Sequence, residues 1–475
     1  MMSNKISSNF ALGEECICAI STPPGTGAIA IIRITGEDAI KIVDKIFEPT
    51  SKGKKIIFQT ANTVQLGTIK DAVDQVLVSV FHAPHSFTGE NVVEIACHGS
   101  QYIQQQIVQL LISNGCRLAM PGEFTQRAFL NGKMDLSQAE AVADLISSQT
   151  EAANRMAMTQ MRGGFSSELA KLRKKMLWFI SMIELELDFS EEEVEFADRN
   201  QLKTLTDEII AHITKLIDSF SLGNAIKNGI QVAIIGNTNT GKSTLLNRLL
   251  NEERAIVSDI HGTTRDAIEE TVNIKGIMFR FIDTAGIRTT TDKIENLGIS
   301  ITYNKIKQAS VLLLVAEITD EDIKIRNSVD EILKNIDLQR QKLILLLNKI
   351  DLANYSQIDE RIAKLKLSIP ERDIIPISAK NNENIDLLIS NLLFSMNTNA
   401  ISANETIVSN VRHYEALTNA LESLKRVQTG IISDISGDFL AQDIREALYF
   451  IGGITGDITN DEILGNIFKN FCIGK

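Results

Sequence analysis

The chain has 475 residues, too many for one ordinary domain, so two to four are expected. Its 44% hydrophobic content with mixed charge excludes a disordered polymer. The net charge of −12 argues against a broad basic surface for nucleic acid, while leaving room for a local patch or a basic partner.

From Cys16 to about Leu130 the chain reads as strands mixed with a few helices, an α+β domain. Cys16 to Ile20 and Ala28 to Ile34 are β-type runs split by the turn Thr22-Pro23-Pro24-Gly25. Val76 to Phe81 and Val92 to Ala96 are further strands, and Tyr102 to Ile112 has helical spacing. Arg33, Glu94, His98 and Lys133 sit beside strand ends or glycines; each taken alone reads as a surface or ion-pair residue. The five cysteines (16, 18, 97, 116 and 472) are scattered. Cys16-Ile17-Cys18 is too tight for a zinc pair, and strand alternation is expected to separate the two thiols. Free thiols in a reducing cytosol are therefore expected. The chain shows no secretory signal and no apolar run of about 18 residues, so a cytoplasmic protein without a membrane span is expected.

At Asp135 the character changes. Asp135 with Gln138 fits a helix N-cap and its reciprocal partner, and Leu136, Ala139, Ala143 and Ile146 recur at helical spacing. Helix continues to about Leu187, broken at Gly163-Gly164. Lys171 to Lys175 reads as a helix surface, and the acidic run Asp188 to Glu195 as a solvated face or turn. Gln201 to Leu222 forms another amphipathic helix.

From Gly223 to about Asn397 strands and helices alternate, the pattern of a parallel doubly wound sheet. The apolar run Ile230 to Ile235 leads into Gly236-Asn237-Thr238-Asn239-Thr240-Gly241-Lys242-Ser243, and a helical pattern from Thr244 follows. That context makes the G-x-x-x-x-G-K-[ST] match a phosphate-binding loop. Its amides form an anion nest at a helix N-terminus, Lys242 adds charge for the β and γ phosphates, and Ser243 is the expected Mg²⁺ ligand. Asn348-Lys349-Ile350-Asp351 follows the strand Leu343 to Leu347. A carboxylate only accepts, and guanine offers two adjacent donors on its N1/N2 edge, so Asp351 specifies the base. Ser378-Ala379-Lys380 should hold guanine O6 with backbone N–H groups. Asp283-Thr284-Ala285-Gly286 ends the strand Met278 to Ile282; its aspartate fits the Mg²⁺ side and its glycine the γ-phosphate. In Gly262-Thr263-Thr264-Arg265-Asp266, Thr264 is the candidate second Mg²⁺ hydroxyl. A Ras-like enzyme carries a water-orienting glutamine where this chain has Ile287, so that group must come from elsewhere. Beyond Asn397 the chain is helical, through Val411 to Val427 and Asp438 to Ile451. The simplest architecture inserts the α/β domain into a helical domain whose halves flank it.

These motifs, with Ala19-Ile20-Ser21-Thr22-Pro23-Pro24-Gly25, Arg33-Ile34-Thr35-Gly36, Ser86-Phe87-Thr88-Gly89-Glu90, Pro121-Gly122-Glu123-Phe124 and the end Phe471-Cys472-Ile473-Gly474-Lys475, resemble the tRNA-modification GTPase family MnmE (TrmE) over nearly the whole length. One departure is Thr238, where that family usually has proline. The resemblance implies an N-terminal α+β folate-binding and dimerisation domain (1–131), a split all-α domain (132–222 and 398–475) and an inserted Ras-like P-loop GTPase domain (223–397). It implies a homodimer and an FAD-dependent partner, MnmG. With that partner the family adds an aminomethyl or carboxymethylaminomethyl group to C5 of the wobble uridine of certain tRNAs, using a folate one-carbon unit. By similarity, Arg33, Glu94, Lys133 and Lys475 would contact 5-formyltetrahydrofolate or a related folate. Asn239, Ser258, Ile260 and Thr263 would hold K⁺, Glu295 would orient the attacking water, and Cys472 is a candidate catalytic thiol. Thr244 and Lys380 complete the implied nucleotide contacts. A GTP-dependent RNA-binding switch and a folate-dependent methyltransferase are the competing readings; neither needs both the N-terminal domain with the Cys472-to-Lys475 end and a redox partner.

Overall fold

The computed structural model describes residues 15–50, 54–188, 199–252, 269–274, 276–283, 309–337, 341–369, 373–394, 406–433, 435–458, 461–469, 471 and 474. They form two compact units: Met1–Ser147 with Ala157–Ile210 and Ala416–Lys475, and Ser148–Met156 with Ala211–Glu415.

The first unit contains a seven-stranded sheet in the order β3-β4-β5-β6-β2-β1-β7. The strands are β1 (Cys16–Ile20), β2 (Gly27–Thr35), β3 (Phe47–Pro49), β4 (Thr63–Ile69), β5 (Gln75–Phe81), β6 (Val92–Gly99) and β7 (Cys116–Leu118). Only β1 and β7 pair in parallel; the other neighbours are antiparallel. One face packs Ile32, Ile34, Val76, Val78, Val80, Val93 and Ile95 against helices α1 (Ala39–Ile46) and α2 (Gln101–Ser113). The other face leaves Val64, Leu66 and Leu77 exposed.

Cys16 and Cys18 correct the expectation for the cysteines. Both thiols lie in the same core as Cys97 and Cys116, while Ile17 between them belongs to a cluster with Ala19, Ala119 and Phe124. A strand alternates with period two, so residues two apart share a face. All four described cysteines are free and buried, as expected. Burial pushes the Cys97 thiol up to about 11.

The helical part begins as the capping pattern requires. After α3 (Glu123–Leu130), Asp135 N–H donates to Gln138 Oε1 at 2.9 Å and Gln138 N–H donates to Asp135 Oδ1 at 2.9 Å, opening α4 (Leu136–Ser147). Ile146 is exposed rather than on the buried stripe, which runs through Leu136, Ala139 and Val142. The break at Gly163 separates α5 (Glu151–Met161) from α6 (Gly164–Asp188), and Gly163 has φ +82°. Lys171 and Lys175 are exposed on α6 and ion-paired with Glu168 and Glu208. The acidic run lies outside the described residues from 189 onward. The single helix expected from Gln201 to Leu222 is two, α7 (Arg199–Asp218) and α8 (Phe220–Asn228), so the expected boundary at 223 falls within α8.

The late helices return to the early ones. Helix Gly437–Thr455 packs on α6, burying Leu440, Ile444, Ala447 and Ile451 against a stripe of Leu169, Leu172, Met176, Phe179 and Ile183. Arg445 Nη2 donates to Glu184 Oε1 at 2.5 Å beside them. The last helix, Asp461–Phe468, buries Leu464 and Phe468 against Leu136 and Ala139.

The second unit contains a six-stranded sheet in the order β13-β12-β11-β8-β10-β9. These are β8 (Ile230–Ile235), β9 (Glu269–Ile274), β10 (Ile277–Asp283), β11 (Val311–Glu317), β12 (Lys342–Asn348) and β13 (Asp373–Pro376). Five strands are parallel, as expected; β9 is an antiparallel edge strand, joined to β10 by a tight hairpin at Gly276. Strands buried on both faces read as continuous apolar runs, which is why Val311 to Ala316 and Leu343 to Leu347 show no alternation. One face packs α9 (Lys242–Glu252) and helix Ile385–Phe394; the other packs helices Asp322–Leu333 and Tyr355–Ser368. Helices on both sides make the sheet doubly wound. At the unit's entry and exit, Ser219 Oγ accepts from Val408 N–H at 3.0 Å. A Cβ on Gly223 would meet Val408 O at 2.1 Å, so only glycine allows this approach.

Candidate functional site

The parallel strands β8, β10, β11, β12 and β13 all end at one edge of their sheet, and the chain motifs follow those ends. In open α/β sheets that carboxyl edge is where ligands bind. Residues 236–241 curl between β8 and α9. Gly236 (φ +149°), Asn239 (φ +65°) and Gly241 (φ +94°) have positive φ. A Cβ at Gly236 would lie 2.2 Å from Val315 O, and one at Gly241 would lie 2.3 Å from Asn348 Nδ2. The two glycines of the motif are thus required by packing as well as by curvature. Asn tolerates the left-handed region better than most residues, which fits Asn239 to its exposed place.

Lys242 opens α9 and folds back, its Nζ donating to Gly236 O at 2.7 Å and Asn237 O at 2.6 Å. The buried Thr240 hydroxyl donates to Asn237 O at 2.9 Å. Ser243 and Thr244 are exposed in the first turn of the same helix. The loop therefore holds a cation and a helix N-terminus around one concavity, the arrangement that takes a phosphate.

Asn348 joins the loops. Its Nδ2 donates to Thr240 O at 2.8 Å and its Oδ1 accepts from Ala379 N–H at 3.0 Å, so one buried side chain ties the phosphate loop to residues 378–380. Lys349 takes φ +66° and pairs with Glu317 at the end of β11. Asp351 is exposed, and its Oδ1 accepts from Ser378 Oγ at 2.7 Å. A carboxylate has about four lone-pair sites, so that bond leaves acceptor capacity for a purine edge. Asp283 ends β10 in register with Ile234, beside the start of the phosphate loop.

Among the described residues the sequence reasoning missed Arg248, whose Nε and Nη2 donate to Ala379 O (3.4 Å) and Lys380 O (2.9 Å). No local signal marks it, because its partners lie more than 130 positions away. Ser258, Ile260, Thr263, Thr264, Thr284, Ala285, Gly286, Glu295, Cys472 and Lys475 lie outside the described residues.

The first unit carries a second cluster. Arg33 and Glu94 are cross-strand partners on β2 and β6, joined by Nε–Oε1 and Nη2–Oε1 contacts of 2.9 and 2.8 Å. The guanidinium lies 5.7 Å from the Phe87 ring and 5.9 Å from the Phe124 ring. Gly474 joins it: its carbonyl accepts from Arg33 Nη1 at 3.3 Å and from Ser21 Oγ at 3.1 Å. With φ +92° and a would-be Cβ 2.7 Å from Ile20 O, position 474 demands glycine. Lys133 donates to Pro84 O at 3.0 Å. Beneath, the buried Arg127 binds Glu90 and Glu123, fastening the two segments that carry Phe87 and Phe124. Burial works to raise the Glu123 carboxyl, but the bidentate grip of Arg117 and the Met120 N–H hold it below its usual range. No local pattern marks Arg127, although both its carboxylate partners, Glu90 and Glu123, sit in motifs of the N-terminal region.

Comparisons with known proteins bear on the chain as a whole. A family model described as GTP-binding protein TrmE N-terminus matches residues 16–133, and one described as MnmE helical domain matches residues 136–472. A tRNA modification GTPase MnmE of Bacteroides thetaiotaomicron is 56% identical over 98% of this chain and 100% of its own. The chain belongs to the MnmE family of tRNA modification GTPases. The Flavobacterium psychrophilum MnmE is 53% identical over 97% of this chain and 99% of its own. Membership makes this MnmE-family chain a GTP hydrolase. Among solved structures, a point variant of Aquifex aeolicus Era bound to GDP.AlF4⁻ is 27% identical over 41% of this chain and 66% of that chain, with a TM-score of 0.29. No helix among the described residues is long and apolar enough to cross a membrane.

Proposed function

We propose that this chain is a cytoplasmic, GTP-hydrolysing enzyme that adds an aminomethyl or carboxymethylaminomethyl group to C5 of the wobble uridine of certain tRNAs. It does so with an MnmG-type FAD protein and a folate one-carbon unit. The observation that carries the reading is the seating of Gly474 against Arg33 and Ser21, which brings the end of the chain to the N-terminal sheet. A pure GTP switch has no use for that junction. The Arg33–Glu94 pair suits a folate: a pterin edge offers donors to a carboxylate, and the glutamyl tail needs cations such as Arg33, Lys133 and Lys475. The folate, when bound, supplies the carbon; Arg33, held between two rings and Glu94, orients it.

In the G domain, Asn239, Thr240, Gly241, Lys242, Ser243 and Thr244 bind phosphates, and Asn348, Lys349, Asp351, Ser378, Ala379 and Lys380 the guanine. Ser243 and Thr264 would hold Mg²⁺, with Asp283 near it. Asn239, Ser258, Ile260 and Thr263 would hold K⁺, whose charge stabilises the phosphates in hydrolysis, and Glu295 would position the water. The domain plan follows as 1–131, 132–222, 223–397 and 398–475. The exposed Val64, Leu66 and Leu77 face of the N-terminal sheet supports a homodimer through that domain, since large open apolar patches mark interaction surfaces.

The test is mass spectrometry of tRNA nucleosides from cells lacking this protein, complemented with the full chain or with residues 474–475 deleted. The full chain restores the C5-substituted uridine. The truncated chain does not, while its purified form hydrolyses GTP normally and binds 5-formyltetrahydrofolate more weakly by calorimetry. Unaltered wobble uridine in the cells lacking the protein removes the function; equal folate affinity removes the role of the chain end.

A further inference from the structure

The turn 378–381 has its backbone groups accounted for in an uneven way. Ser378 N–H donates to Glu383 O, Ala379 N–H to Asn348 Oδ1, and Asn381 N–H to Ser378 Oγ. Lys380 N–H has no hydrogen-bond partner among the described residues. The carbonyls on either side of that amide, Ala379 O and Lys380 O, are both taken by Arg248. Arg248 uses Nε and Nη2, the two donors on one edge of the guanidinium fork, so it fixes orientation as well as position.

The peptide unit supplies the consequence. The carbonyl of Ala379 and the N–H of Lys380 share one planar trans peptide and point in opposite directions. Holding Ala379 O toward α9 therefore turns Lys380 N–H away from α9. From this geometry we infer that Arg248 is a positioning residue for base recognition, presenting Lys380 N–H as the donor for guanine O6. The inference rests on the guanine site of the proposed function and deepens it. It also narrows the turn's N–H groups to one for O6, since the Ala379 amide is already engaged by Asn348. Without Arg248 the peptide is free to rotate and present the carbonyl instead. A carbonyl repels O6 and accepts from a 6-amino group, so the loss falls on guanine in particular.

The experiment compares binding of GTP with binding of 2,6-diaminopurine riboside triphosphate, which carries a donor at position 6. The full-length chain is used, as wild type, Arg248→Ala and Arg248→Lys, with displacement of a fluorescent GDP as the readout. Arg248→Ala lowers GTP affinity about tenfold, the scale of losing charge-assisted hydrogen bonds, while affinity for the 6-amino analogue falls less or rises. Arg248→Lys, with a point charge and no fork, recovers affinity in part and selectivity less. Equal losses for both nucleotides would mean that Arg248 merely fastens α9 to the turn, and overturn the inference; so would unchanged GTP affinity. Asp351→Asn separates the two levels. If that variant fails to gain xanthosine triphosphate, the base site itself is misassigned; if it gains it while Arg248→Ala keeps its selectivity, only the role of Arg248 falls.

Discussion

At the scale of single residues, the nucleotide site depends on side chains that each do two jobs. Asn348 satisfies a buried carbonyl and a buried amide from different loops, so its replacement would orphan both. Asp351 holds Ser378 Oγ through one oxygen while facing solvent. An amide at 351 can still accept from Ser378, so Asp351→Asn alters the base edge with little change in the loop. We expect that variant to lose roughly 10- to 100-fold in GTP affinity, as for a charge-assisted bond, and to gain affinity for xanthosine triphosphate. Competitive binding with the two nucleotides checks this, and equal GTP affinity in variant and wild type would refute the base-reading role. The motif residues at this scale were legible because phosphate and guanine chemistry fix residue types at close spacing. Arg248 and Arg127 were not, because each acts on groups that only the fold brings to it.

At the scale of elements, caps and periods were readable and turns less so. The Asp135–Gln138 pair was legible because a capping box is local, closing within four residues. Asp135→Ala should destabilise the first unit by about 1 kcal/mol, while Asp135→Asn keeps most of the cap. Thermal unfolding of the full chain should show a lower midpoint by a few degrees for the alanine variant alone. An unchanged midpoint for Asp135→Ala would remove the cap from the energetics of that junction. The division of the expected 201–222 helix at Ser219 was not legible: Ser219 keeps helical angles (φ −69°, ψ −15°), and its Oγ accepts from Val408 N–H, a partner 189 positions away. Likewise β9 is antiparallel because a tight hairpin at Gly276 leaves no room for a crossover, and parallel pairing requires one.

At the scale of the molecule, the two clusters lie in different units, the glycine-rich loop with Asn348 in one and the Arg33–Glu94–Gly474 junction in the other. Chemistry at the first must therefore be communicated if it is to serve the second. Potassium activation is the expectation that bears on how hydrolysis is controlled. Hydrolysis should be faster in K⁺ than in Na⁺ at equal ionic strength, by a factor approaching the ~10³ that an added positive group can supply in GTPases. Asn239→Ala should abolish the difference, and Glu295→Ala should slow hydrolysis in both salts. Steady-state phosphate release measured in the two salts checks all three; equal wild-type rates would leave the GTP site standing and the cation without a role.

The sequence by itself determined the parallel strands of the second unit and the curled glycine-rich loop between β8 and α9. These depend on short-range patterns: apolar runs of strand length, glycines at curled backbone, and charges within one helical turn of them. It also determined the family, through motifs spread from Ala19 to Lys475. Only the tertiary structure decided that Cys16 and Cys18 share a core, that helix Gly437–Thr455 lies on α6, and that Gly474 closes on Arg33 and Ser21. Nor could the sequence have set Arg248 beneath the 378–381 turn. Each of these pairs groups across tens to hundreds of positions, and such pairing is set by how the cores bury their faces rather than by any residue's neighbours in the chain.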